Sequence, residues 1–111
     1  MIVALGDLHT QILERAAVEQ VMQDAQTAAR EREGCESFSF AEAVGDPGHY
    51  LLLARWRDQA AVDAHYSSPA FAAYQAAITP LLVADSELQL HVVDQSMRPV
   101  DARTLDLRQD D

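Results

Sequence analysis

The chain is short of several things, and each shortage excludes something. Its single cysteine, Cys35, has no internal partner for a disulfide, which fits a reducing compartment. Cys35 reads either as a nucleophile or as a small core residue near a strand start. No apolar run approaches the ~20 residues that a membrane helix needs. No basic cluster occurs among 8 Lys+Arg residues, and 18 Asp+Glu residues set the formal charge at −10. Binding a phosphate backbone or an anionic lipid surface requires such a cluster, so neither nucleic acid nor membrane is expected as a partner. The opening Met1–Asp7 lacks a basic n-region and turns polar early, and the expected location is the cytoplasm. The four glycines, Gly6, Gly34, Gly45 and Gly48, form no phosphate-cradling loop. His9, His49 and His91 fall on different elements with no H-x-x-x-H or Cys/His spacing, so no metal and no cofactor is expected.

What remains is enough for one small domain of 111 residues. Ile2 to His9 reads as a first strand. Leu13 to Glu33 reads as a long amphipathic helix, because Ala17, Val18, Val21, Met22, Ala25, Ala28 and Ala29 recur at three- and four-residue steps. Gly34 can end it in the left-handed conformation. Ser37 to Glu42 alternates as a second strand with Phe38 and Phe40 on one face. Gly45-Asp46-Pro47-Gly48 is a turn, and Tyr50 to Trp56 is the third strand. Asp58 caps a helix reaching Tyr66, and Ser68 caps another that has Pro69 at its first position. Phe71, Tyr74, Gln75 and Ile78 share one face of that helix, which Pro80 kinks or ends. Ser86 to Asp94 is the fourth strand. Residues 1–96 form the expected domain and residues 97–111 a C-terminal tail.

This order predicts an α+β, ferredoxin-like split βαβ sandwich with a four-stranded antiparallel sheet. Helices can cover only one face of such a sheet. The third strand carries Tyr50, Leu52, Ala54 and Trp56 on one face and Leu51, Leu53 and Arg55 on the other. Leaving Leu51 and Leu53 in water forgoes roughly 1.5–3 kcal/mol each. A homodimer packed sheet to sheet is therefore expected.

With these elements in place the chain resembles the antibiotic biosynthesis monooxygenase family of dimeric α+β barrels. The resemblance rests on Glu33-Gly34-Cys35-Glu36-Ser37-Phe38, Asp46-Pro47-Gly48-His49-Tyr50, Arg55-Trp56-Arg57-Asp58 and His65-Tyr66-Ser67-Ser68-Pro69-Ala70-Phe71, and it spans roughly residues 1–95. It implies a cavity between sheet and helices in each subunit. It also implies chemistry drawn from cofactor-independent oxygenation, quinol oxidation, haem degradation or isomerisation. Trp56 matches a cavity-lining tryptophan of polyketide-oxidising members. Leu52, Val62 and Ala76 stand where those members have asparagine, tyrosine and arginine. Gln75 stands where haem-degrading members have their iron-ligating histidine, so haem is not expected.

The expected function is cofactor-independent monooxygenation of a planar aromatic, quinol or polyketide-like molecule by dioxygen. The alternatives are an isomerase acting by enolisation, or a ligand-binding dimer without turnover. His65 is the candidate proton acceptor, since imidazole titrates near neutrality, or else a histidine closing the helix–sheet contact. Asp7 is the second catalytic candidate, orienting that imidazole or acting as a base if burial raises its pKa, or else it ends a solvated strand. Trp56, Phe38, Phe40, Leu52, Phe71 and Tyr74 are the candidate substrate wall; Trp56 reads equally as plain core.

Overall fold

A computed structural model describes residues 1–97. Strand β1 (Ile2–His9) leads through a short 3-10 turn at Ile12–Glu14 into helix α1 (Arg15–Arg30). Strands β2 (Cys35–Glu42) and β3 (His49–Trp56) form a hairpin, helices α2 (Gln59–Tyr66) and α3 (Pro69–Ile78) follow, and β4 (Glu87–Val92) completes the sheet. The strands are antiparallel in the order β2-β3-β1-β4. This is the expected ferredoxin-like α+β arrangement. Helix α1 is shorter at both ends than the periodicity predicts. Its first expected turn is the 3-10 segment, and its last residues unwind before Gly34, which adopts φ 86°.

Gly34 is more than a helix stop. A Cβ there would sit 2.5 Å from the Cβ of Ala61, and its carbonyl accepts from the Arg57 amide at 2.7 Å. The end of α1 and the start of α2 thus meet at a point where only hydrogen fits. Asp58 caps α2 by accepting from the Ala61 amide at 2.9 Å. Ser68 caps α3 by accepting from the Phe71 amide at 3.1 Å. Each such cap contributes about 1 kcal/mol.

All helices lie on one face of the sheet. Alternation along β1 and β3 sends Ile2, Ala4, Leu8, Tyr50, Leu52, Ala54 and Trp56 beneath them, all buried. The core falls into two clusters. One gathers Phe38, Leu52, Trp56 and Val62 with Ala29, and the other gathers Leu8, Val18, Met22, Tyr50 and Ile78. Phe40 touches both.

Among the described residues, the opposite face carries no helix. There Leu5 and Leu53, which are directly paired, remain 38% and 49% exposed. Strand β4 is also uncovered: Leu88 and Leu90 are each 45% exposed. The expected tail, residues 97–111, lies outside the described residues apart from Met97.

Candidate functional site

Between the two core clusters lies a cavity of about 170 Å³. Its existence has a compositional cause. Gly6 forms part of the floor, and Ala25, Ala28, Ala29 and Ala70 face it from α1 and α3. Helix faces that bury large side chains elsewhere present methyl groups here, so the packing stays incomplete. Gly6 cannot be enlarged freely, because a Cβ would meet Leu52 Cβ at 3.2 Å and the Glu87 carbonyl at 3.3 Å.

Phe38, Phe40, Leu52, Phe71 and Tyr74 all line this hollow, as the sequence predicts. Their rings form a connected wall. Phe38 meets Phe40 edge-on with centroids 5.7 Å apart, and Tyr74 lies 5.9 Å from Phe40 and 6.0 Å from Phe71. Burial pushes the Tyr74 phenol up to about 12, so it stays protonated.

His65 lines the same cavity and is 6% exposed. It sits in the last turn of α2, where Ser68 Oγ donates to its carbonyl at 2.7 Å and Arg32 donates to the neighbouring Ala64 carbonyl at 3.1 Å. Its ring lies 4.6 Å from Trp56, 4.8 Å from Tyr66, 5.4 Å from Phe71 and 5.6 Å from Phe38, centroid to centroid. Burial among these rings, aided by the Arg32 charge, lowers its pKa to about 4. A helix C-terminus favours imidazolium by about 0.3–1 kcal/mol. A depression of this size corresponds to about 3 kcal/mol, so burial wins and the ring is neutral at pH 7.

Two sequence-predicted residues are placed differently. Trp56 is fully buried and absent from the cavity wall. It packs behind His65 and holds that ring in position. Asp7 does not reach His65. Its neighbours Gly6 and Leu8 line the hollow, so alternation turns Asp7 to the bare face, where Oδ1 meets His49 Nε2 at 2.5 Å. A strand-end position could be read from sequence, but the face depended on the register with β3.

Among the wall residues that sequence reasoning missed are Tyr66 and Arg32. Tyr66 directly follows the candidate base, and its hydroxyl is buried without a hydrogen-bond partner; so is Nδ1 of His65. Burial raises the Tyr66 pKa and keeps its proton in place as a donor. Trp56 Nε1 is the third such unpartnered atom. Leaving one of these groups unpaired costs roughly 1–3 kcal/mol, and all three belong to side chains packed around one imidazole. The signal for the hollow was present as Ala25, Ala28 and Ala29, small residues where a packed helix face would carry large ones.

The arrangement is a hollow walled mainly by aromatic rings and alanines, with a neutral imidazole, two phenols and a guanidinium on its wall and Gln75, Thr79, Ser86 and Glu87 also lining it. It can bind a flat molecule, accept one proton and stabilise the resulting anion.

Comparison with known proteins agrees with this architecture. Proposed antibiotic biosynthesis monooxygenases from Deinococcus radiodurans and Caulobacter crescentus superpose with TM-scores of 0.84 and 0.80 at 21% and 20% identity. The first alignment covers 90% of this chain and 99% of the other, and the second 85% and 90%. A Mycobacterium tuberculosis protein superposes with a TM-score of 0.77 at 24% identity, over 86% of this chain and 98% of that one. These likenesses establish the fold. An uncharacterized Synechocystis protein is 28% identical over 68 residues, 61% of this chain and 46% of its own length. The chain thus spans less than half of that relative. The antibiotic biosynthesis monooxygenase family model matches residues 1–77, well over half of the sequence, and the chain belongs to that family.

Proposed function

We propose that this protein is a cofactor-independent monooxygenase for a small, planar, acidic hydroxy-aromatic or enolised compound, acting as a homodimer. One observation carries the reading. His65 Nδ1 and the Tyr66 hydroxyl are buried and have no hydrogen-bond partner among the described residues, on adjacent residues of a cavity wall that is mostly apolar around them. Both atoms are enclosed, so the two side chains must turn slightly toward the hollow before a ligand hydroxyl can donate to the imidazole and accept from Tyr66.

Size and acidity narrow the substrate. A cavity of about 170 Å³ is slightly larger than the ~150 Å³ that holds benzene in an engineered core. One ring with substituents, or two compact fused rings, fit it better than three. Acidity follows from the proton balance. An ordinary phenol titrates near ~10, and His65 near about 4. Transfer across that gap costs roughly 8 kcal/mol. Attraction between the new imidazolium and phenolate at ~4 Å returns about 4 kcal/mol at an effective dielectric of ~20. The remainder, about 3 pKa units, must come from the substrate, so a conjugated carbonyl or a second ring is expected to acidify its hydroxyl. Arg32 steadies the anion but opposes the imidazolium, and does not close the gap alone.

The oxidative step requires no external reductant. The anion, delocalised onto a ring carbon that is CH in the anion and CH₂ in the neutral keto form, gives an electron to dioxygen, and the two radicals join as a peroxide. Proton return gives a hydroperoxide, and loss of water leaves a carbonyl where the CH₂ stood. All four electrons taken by dioxygen come from substrate, one oxygen atom enters the product and the other leaves as water. The apolar walls exclude bulk water from the anion.

The bare face supports the dimer. Leu5 and Leu53 are partly exposed and paired at its centre, and a second copy meeting the first there buries both twice over.

The test is oxygen uptake on a panel of hydroxy-naphthalenes and cyclic 1,3-diketones, with wild type, His65→Phe and Tyr66→Phe. The reading requires uptake stoichiometric with product and a loss of ~10²–10⁴-fold in kcat for His65→Phe. Proton exchange without oxygen uptake would identify enolisation instead. Equal rates in His65→Phe and wild type would remove His65 from the reaction.

A further inference from the structure

The bare face of the sheet carries a second cluster, unconnected with the cavity. Strand register pairs His9 directly with His49 and sets Asp7 two residues away on the same side. Asp7 Oδ1 lies 2.5 Å from His49 Nε2. On the other side of that ring, Nδ1 meets Asp46 Oδ2 at 3.0 Å, from the turn that joins β2 and β3. The His9 and His49 rings stack, with centroids 4.3 Å apart and planes 15° from parallel. One ligand atom from each of Asp7, His9 and His49 falls within 4.8 Å of the others.

We propose that Asp7, His9 and His49 form a divalent-metal site of the zinc type, with Asp46 as the residue that orients His49. Two imidazoles and one carboxylate are the donor set that suits zinc and its first-row neighbours. The carboxylate–histidine pair behind the site fixes which nitrogen of His49 faces the ion. Asp46 takes the Nδ1 proton, which leaves Nε2 as the metal-facing atom. Three protein ligands leave a fourth tetrahedral position for water or an anion.

The stacked rings say how binding proceeds. The lone pairs of the two rings lie in nearly parallel, separated planes and so cannot both aim at one ion. His49 is held at both nitrogens, so His9 is the ring that turns. The ion displaces the Asp7–His49 hydrogen bond and releases its proton. The sheet holds the three Cα positions fixed, and the overall charge of −10 favours a cation. Two donors come from β1 and the third from β3, so no contiguous spacing in the sequence announces the full set.

The test uses the full chain, free of affinity tags and stripped with chelator, titrated with zinc by calorimetry and with cobalt by visible absorption. Expected are one ion per chain and imidazole NMR shifts confined to His9 and His49. His49→Gln and Asp7→Asn should each weaken zinc binding at least thirtyfold. Asp46→Asn should weaken it by ~10–100-fold, as an orienting residue does, while Cys35→Ser and His91→Gln leave it unchanged. Circular dichroism of each variant confirms folding. No saturable binding up to millimolar zinc, or affinity undiminished in both His49→Gln and Asp7→Asn, would overturn the site.

Discussion

The two faces of the sheet hold histidines of opposite character. On the helix-covered face, His65 is enclosed by four aromatic rings and its pKa is driven down to about 4, chiefly by burial. On the bare face, His49 lies between two carboxylates and its pKa is raised, chiefly by the hydrogen bond to Asp7. Desolvation decides the first case and opposite charge the second. One ring is therefore neutral at pH 7 among aromatic rings, and the other is biased toward its charged form by the carboxylates beside it. The same residue type is placed for the proposed proton transfer in one setting and for the proposed metal binding in the other.

The sharpest way to break the contrast is at His65 itself. His65→Phe keeps the ring packing and removes the base, and turnover should fall ~10²–10⁴-fold while the melting temperature holds or rises. A large fall in stability with little loss of rate would show that the two faces do not differ in the way described.

Next is the junction that positions α2. Gly34→Ala forces a Cβ into the left-handed region and against Ala61 at 2.5 Å. The expected destabilisation is about 3 kcal/mol, combining backbone strain with overpacking, measurable as a shift in the urea midpoint. Gly45→Ala at the equally left-handed φ 78°, with nothing near its Cβ, should cost only about 1–2 kcal/mol.

On the bare face, Leu53→Glu should weaken self-association at least a hundredfold, about 3 kcal/mol, by sedimentation equilibrium. It should leave ligand binding by the cavity within about twofold, since Leu53 points away from it. Retained dimerisation would place the contact elsewhere.

The pH dependence of stability sharpens the contrast further. The unfolded histidine titrates near 6.5, so between 6.5 and about 4 the unfolded chain binds a proton at residue 65 that the folded chain refuses. Stability therefore falls as pH falls across that window, by up to about 3 kcal/mol. His65→Phe should remove that part of the slope. His49 has the opposite sign. Its folded pKa is raised, so its stabilisation is complete below 6.5 and fades as pH rises through the folded value. Imidazole NMR titrations in chelator should show the two midpoints on opposite sides of 6.5.

Much of the fold was legible because its causes are local. Asp58 and Ser68 announced their caps, Gly34 and the Gly45–Gly48 turn announced their positive φ, and period-two alternation placed Phe38, Phe40 and Leu52 on one face. The cavity wall followed from that alternation together with the face of α3. Trp56 was harder, because a ring at a strand end can line a hollow or lie behind it. Only the seating of α2 puts His65 between Trp56 and the cavity. Asp7 and His49 were beyond local reasoning, since their meeting depends on the pairing of strands 42 positions apart.

The order of side chains thus determined by itself which segments are helix or strand, where they stop, and that one sheet face must stay uncovered. Those outcomes depend on capping, backbone freedom and periodicity over a few residues. The tertiary structure decided that alanines leave a hollow, that His65 loses its charge inside it, and that Asp7, His9 and His49 converge on the other side. Such properties come from desolvation and from distances between chain segments far apart in sequence, which exist only once the sheet has closed and the helices have docked.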